Sequence, residues 1–202
     1  MSEKYLFLDT SKDLTIGLLC SKGSWLEFKT YSGVKSSQII HAEIDEILLA
    51  ADLDISKIDG IISAAGPGSY TGMRVSEGLA QVLSWQGIPV FGFYHFELPQ
   101  IFGEKEGLWV ARAFKGEYFI YSWKENHVEK SLILGDQLSE KLGQALPCYT
   151  HFSDDLTDYD LKFTSDLVKN NPDLLLTHVV GKSLRRGPYY YRSIEEEFSP
   201  SK

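Results

Sequence analysis

Apolar residues follow two rhythms along this chain, and the change from one to the other outlines a fold. Tyr5-Leu6-Phe7-Leu8 is a short unbroken apolar run that ends in Asp9-Thr10-Ser11, as a strand entering a turn does. Leu14 to Cys20 reads as a second strand. After Gly23, the segment Ser24 to Lys29 sets Trp25 and Phe28 among polar residues, the pattern of a third. Strands this close in sequence predict an antiparallel meander, because parallel neighbours need a longer crossover. The period then lengthens. Ile39, Ile40, Ile44, Ile47, Leu48 and Ala51 recur at helical spacing, with Ser36 or Ser37 available to cap the helix. Gly60 to Ala65 is a continuous apolar strand of the kind buried on both faces. The glycine-rich stretch Gly66 to Gly72 predicts a turn. A second helix follows over Met73 to Trp85, stopped by Gly87 and Pro89, and Val90 to Phe93 reads as a further strand.

Three strands, a helix, a strand, a helix and a strand make up the ribonuclease-H-like plan shared by actin-like ATPases and sugar kinases. The expected class is therefore α/β, an actin-like ATPase (ASKHA) fold of two lobes with the second reduced. In the second half, Leu108 to Phe114, Tyr118 to Trp123 and His127 to Leu134 predict paired strands, and Asp136 to Leu146 and Thr164 to Lys169 predict short helices. The boundary falls between Phe93 and Gly107, giving an N-terminal lobe over 1–95 and a smaller lobe over 96–202. An order of elements argues fold and leaves function open.

Charge narrows the function classes. Acidic residues outnumber basic ones 28 to 20, a net charge of −8, so the surface repels phosphate backbones and any tRNA contact is expected to be indirect. Cys20 and Cys148 are too few for a disulfide framework and form no CxxC pair; both are expected as small buried residues. The N-terminus lacks the long apolar core of a signal peptide, and no stretch approaches the ~20 apolar residues of a membrane span. These features predict a soluble cytoplasmic protein without membrane attachment.

The most informative stretch is Gly66-Pro67-Gly68-Ser69-Tyr70-Thr71-Gly72-Met73-Arg74, between a buried strand and a helix. Its glycines permit positive φ and leave room for another backbone or a ligand. Ser69 and Thr71 are suitable caps, and free amides at a helix N-terminus favour an anion. A tight turn with a good cap explains the same residues without any ligand. No Lys-Ser/Thr pair follows the glycines, so this is not a P-loop.

This loop, together with Asp9-Thr10-Ser11, Ile16-Gly17 and the closing Pro188-Tyr189-Tyr190-Tyr191-Arg192, resembles the TsaB (YeaZ) family. Gly116-Glu117-Tyr118 is similar to a strand start in that family. The resemblance implies a two-lobed actin-like fold without its own transferase chemistry and without a cofactor. It implies a subunit that supports a TsaD-like catalytic partner, with a TsaE-like ATPase in the same complex, in forming threonylcarbamoyladenosine beside the tRNA anticodon. The family's interface with TsaD, or with a second copy in a homodimer, maps here onto the first two helices: Ile40 and Ile44 on one, and Met73, Arg74, Val75, Gly78, Leu79 and Val82 on the other. Any anion or nucleotide contact maps onto Asp9, Thr10, Ser11, Gly66, Gly68, Ser69, Thr71 and Gly72. The second helix is more apolar than one core-facing stripe requires. Gly78 in mid-helix, at a cost of about 1 kcal/mol relative to Ala, suggests close packing. Lys35-Ser36-Ser37-Gln38 and Arg112-Ala113-Phe114 depart from the family's pattern.

Enzyme readings fare less well. The histidines His41, His95, His127, His151 and His178 are scattered, with no HxxxH or HxxH pair, so no metal site is expected. A ribonuclease-H-type nuclease could use Asp9 with Glu43 or Glu46, but the strand that should present another acid ends in Ala64-Ala65-Gly66. Asp9 is then expected as a turn residue bonding its own backbone. A second phosphate cradle for an actin-like kinase is not visible, and Lys182, Arg185, Arg186 and Arg192 read as a solvated basic run. Two alternatives stand beside the docking-subunit reading: a weak ATP- or ADP-binding actin-like protein and a self-associating regulatory dimer.

Overall fold

The computed structural model describes residues 3–143, 146–152 and 156–191, apart from the side chain of Phe114. Arg192 lies outside these residues, as do positions 144 and 145 of the helix expected over Asp136 to Leu146. In chain order the regular elements are β1 (Lys4–Asp9), β2 (Leu14–Cys20), β3 (Ser24–Tyr31), α1 (Ser36–Ala50), β4 (Gly60–Ala64), α2 (Tyr70–Trp85), β5 (Val90–Phe93), α3 (Leu98–Ile101), β6 (Glu106–Arg112), β7 (Glu117–Lys124), β8 (His127–Leu134), α4 (Leu138–Leu142), β9 (Cys148–Thr150), β10 (Lys162–Phe163), α5 (Thr164–Asn170) and α6 (Pro172–Leu175). α6 continues into a wider helical turn, Leu176–Val180.

Two five-stranded sheets carry the chain, in the orders β3-β2-β1-β4-β5 and β10-β9-β6-β7-β8. The first three strands form the expected meander, with Leu6 opposite Leu18 and Gly17 opposite Phe28. β1, β4 and β5 run parallel, so their carboxyl ends reach the same edge.

The unbroken apolar run of β1 follows from its burial on both faces. With a side-chain period of two, Leu6 and Leu8 point one way and join Ile40, Ile44, Ile47 and Leu48 of α1 and Leu83 of α2. Tyr5 and Phe7 point the other way and meet Phe93, Val168, Leu175 and Val179. Each fully buried side chain of this size contributes about 1.5–3 kcal/mol. The second face is therefore covered by chain from beyond residue 160. A lobe boundary at residue 95 assigns to the second lobe the helices that complete the first. Sequence order could not reveal this return, since it depends on packing across more than a hundred residues.

The second sheet has as many strands as the first, three long ones and two short: β9 has three residues and β10 two. Leu108, Val110 and Ile120 face α4 through Leu138 and Leu142. On the opposite face, Trp109, Phe119, Tyr121 and Tyr149 form an aromatic cluster with Phe96 and Tyr189. The C-terminal strap fastens the molecule: Gly92 N–H donates to Leu184 O and Tyr189 N–H to Ala65 O. The three expected strands are present, β6 two residues earlier than expected, whereas β9 and β10 were not expected and the helix over Asp136 to Leu146 shrinks to a short 3-10 turn and α4. Cys20 and Cys148 are free and buried. Among the described residues no helix is long and apolar enough to cross a membrane.

Candidate functional site

Two regions hold the residues singled out by sequence: the turn after β1 with the glycine-rich loop, and the outer surface of α1 and α2. At the first, two backbones meet with almost no space between them. A Cβ on Gly68 would lie 2.7 Å from Ser11 Cα, and one on Gly72 would overlap Thr10 O. The Ser69 N–H donates to Ser11 O at 2.6 Å, and the Thr10 hydroxyl donates to Gly72 O at 2.7 Å. Gly66 needs glycine for its backbone, at φ +92°. The loop glycines thus admit another stretch of this same chain. Ser69 is the N-cap of α2, its hydroxyl accepting from Gly72 N–H at 3.2 Å; Thr71 lies within the helix. The amides of Ser69 and Gly72 are occupied, which removes two of the donors an anion would use. α1 differs from expectation at its start. Lys35 is its N-cap, without a side-chain hydrogen bond, and Ser36 is buried as the first helical residue.

Asp9 closes β1 and makes the bond expected of a turn residue: its Oδ1 accepts from the Ser11 N–H at 2.9 Å and from the Ser11 hydroxyl at 2.6 Å. Its other oxygen does something the sequence did not suggest. Oδ2 lies 3.0 Å from His95 Nε2 and 3.5 Å from His151 Nε2. Ser11 Oγ lies 3.1 Å from the first nitrogen and 2.9 Å from the second. The two imidazoles stack at 3.6 Å between ring centres. Asp9, Ser11 and His95 are buried, and the His151 side chain is 8% exposed.

Three strand ends supply this cluster. Asp9 ends β1, His95 lies two residues beyond β5, and His151 follows β9 of the other sheet. β4 separates β1 from β5, but it ends in Ala64-Ala65-Gly66, which has little side chain to fill the gap. His95 N–H donates to Gly66 O at 2.9 Å, fixing the ring above this end. The missing carboxylate at Ala64-Ala65 is therefore what lets an imidazole reach Asp9.

Burial is the largest single influence on Asp9 and opposes its charge. Attraction to His95 and His151, with hydrogen bonds from His95 and Ser11, outweighs it and holds the carboxyl well below the usual carboxylate range. His151 is pushed down to about 3, first by burial and then by repulsion from His95, against the attraction of Asp9. Asp9 and His151 line a cavity of about 360 Å3 between the sheets, together with Lys12, Asp13, Asp166 and Lys169.

Scattered histidines thus converge in space, and His95 and His151 are the functional candidates that sequence reasoning missed. The signal available was position: each is a polar residue just past a buried apolar strand, the place where α/β sheets gather their chemistry. His41 and His127 are exposed.

The helical surface also differs from expectation. Ile40, Ile44 and Met73 are buried in the chain's own lobe, because α1 and the start of α2 cover the first sheet with them. Val75 and Leu79 are half-buried against the same core. Gly78 is exposed, with nothing within 4 Å of the position its Cβ would take, so close packing inside the chain does not explain it. The outward stripe of α2 runs Thr71, Arg74, Gly78, Val82, Trp85 at helical spacing. Trp85 is 83% exposed, Val82 46%, and Leu49 near the end of α1 75%. Arg74 packs on the rings of Tyr70 and Tyr190, each 5.5 Å away, and pairs with Glu77.

Comparisons with known proteins agree with this architecture. Residues 31–98 match the profile of the family described as TsaD: tRNA N6-adenosine threonylcarbamoyltransferase. Over 80 residues the chain is 34% identical to the tRNA threonylcarbamoyladenosine biosynthesis protein TsaB of Haemophilus influenzae, a match covering 40% of this chain. The chain spans about a third (34%) of that relative's length. Among solved structures, an uncharacterized protein with similarity to peptidase YEAZ from Pseudomonas aeruginosa superposes with a TM-score of 0.64 at 17% identity, covering 94% of this chain and 100% of that one. YeaZ from Pseudomonas aeruginosa superposes with a TM-score of 0.53 at 18% identity, covering 73% and 75%. At such identities the likeness speaks to fold, which is the actin-like, ribonuclease-H-like α/β fold.

Proposed function

We propose that this chain is a TsaB (YeaZ)-type protein, a reading the likenesses just given support, and that it is a non-catalytic subunit of a tRNA threonylcarbamoyladenosine-forming complex. In this reading it docks through α2 and the end of α1 on a TsaD-like catalytic subunit, and a TsaE-like ATPase and the tRNA are met only through the assembled complex. One observation carries the proposal: α2 presents Gly78, Val82 and Trp85 outward, with no covering element among the described residues. A tryptophan that exposed, beside a bare glycine and a valine, suits a partner helix approaching closely, since aromatic residues anchor protein interfaces. The net charge of −8 supports an indirect relation to tRNA.

Co-purification tests the reading. A TsaD-like subunit from the same organism is expected to be retained by the chain and lost with Trp85→Asp and Val82→Asp, while circular dichroism stays unchanged. Equal retention by both variants would refute docking through this face. Light scattering with and without the partner distinguishes the self-associating alternative, because a stable dimer that the partner does not displace would assign the face to a second copy.

A further inference from the structure

We infer that Asp9, His95 and His151, with Ser11 Oγ, form a binding site for one divalent transition-metal ion of the zinc class, pinning the two sheets together at their seam. This proposal is independent of partner docking.

The donor set comes first. Two imidazole nitrogens and one carboxylate oxygen lie within 4.8 Å of one another, and imidazole with carboxylate suits zinc and its neighbours. Imidazole binds such an ion through an unprotonated ring nitrogen, and each histidine has its Nε2 at the cluster.

Distances come second. With metal–ligand bonds of about 2.0–2.1 Å, tetrahedral ligand atoms stand roughly 3.3–3.4 Å apart. The distances from Asp9 Oδ2 to His95 Nε2 and His151 Nε2, 3.0 and 3.5 Å, and from Ser11 Oγ to the same two nitrogens, 3.1 and 2.9 Å, bracket that value. Both Nε2 atoms lie close to the same carboxylate oxygen and the same hydroxyl, and with the rings 16° from parallel, binding an ion requires one imidazole to turn so that the two lone pairs converge. In a site with three protein ligands, the fourth place is taken by a water or a weak oxygen donor, and Ser11 Oγ is positioned for it.

Support and access complete the case. Asp9 Oδ1 is held by the Ser11 amide and hydroxyl, and His151 Nδ1 lies 3.4 Å from Thr164 Oγ1. Thr164 is buried, and its hydroxyl donates to Thr150 O, next to the ligand. Asp9 and His151 border the cavity between the sheets, which provides a route for a hydrated ion. Because Asp9 and His95 come from the first sheet and His151 from the second, one ion would crosslink elements that are distant in sequence.

The test uses the full chain, stripped with a chelator and titrated with zinc chloride alone. Calorimetry is expected to give one site per chain, and roughly a hundredfold excess over the dissociation constant is expected to raise the melting temperature by about 5–10 °C. Cobalt(II) in place of zinc is expected to give the visible absorption of a tetrahedral site. His95→Gln and His151→Gln keep a hydrogen-bond donor but not the ligand geometry, and each is expected to abolish the cobalt spectrum. His41→Ala and His127→Ala, at exposed histidines, leave binding unchanged. Should a glutamine variant fail to fold, its partner variant and the titration of the unaltered chain still decide the matter. Absence of stoichiometric binding by the unaltered chain overturns the proposal, as does binding that persists in a folded glutamine variant. In either case the cluster is a closed hydrogen-bond network.

Discussion

The seam between the sheets and the outer face of α2 differ in what they lack. At the seam, Asp9, Ser11, His95 and His151 bring charge and hydrogen-bonding capacity into a buried place, and nearly all of that capacity is met within the chain. On the α2 face, Gly78, Val82 and Trp85 carry no titratable group, and their apolar surface has no cover among the described residues. One region has chemistry turned inward, and the other has unmatched surface turned outward. Under the docking proposal the second region is where a partner would sit, while the first joins residues of the two sheets. The glycine-rich loop belongs with the seam, since its closest approaches are to Thr10 and Ser11.

That division can be broken or sharpened by substitution. The largest expected effect is at the seam. Asp9→Ala leaves two buried imidazoles facing each other without their carboxylate and is expected to cost about 3 kcal/mol in urea unfolding. A loss below about 0.5 kcal/mol would mean the cluster is structurally idle. Gly72→Ala forces a methyl group onto Thr10 O and is expected to cost about 2 kcal/mol, read in the same way. Gly78→Ala is expected to act in the opposite direction, stabilising the isolated chain by about 0.5–1 kcal/mol because its Cβ enters open space. The same change is expected to weaken partner binding, so a stabilised chain that binds as well as before would remove Gly78 from the interface. Smallest in stability is Trp85→Asp, expected within about 0.5 kcal/mol of the unaltered chain while abolishing co-purification. Leu79 is a poorer site for that test, because it packs on the lobe's own core.

Local pattern disclosed the elements whose hydrophobic period matches their burial. β1 reads as an unbroken run because both its faces are covered, and β7 and β8 appear almost residue for residue, whereas the short β9 and β10 left no pattern long enough to read. The cap of α2 was legible because Ser69 sits three residues before the amide it accepts from. Less visible was whatever depends on contacts distant in sequence. His151 is 142 positions from Asp9, and no spacing rule joins them; only the meeting of β1, β5 and β9 does. The return of Val168, Leu175 and Val179 to the first sheet was hidden for the same reason. Ile40, Ile44 and Met73 were assigned to a partner because family position marks a helix and does not say which of its faces is already occupied.

Reconstituted tRNA modification tests the central claim most directly. A TsaD-like transferase, a TsaE-like ATPase and the enzyme that forms the carbamoyl-adenylate would be assayed for threonylcarbamoyladenosine with this chain, without it, and with Trp85→Asp. The account predicts formation only with the unaltered chain and none from the chain alone. Equal formation in all three mixtures would contradict it.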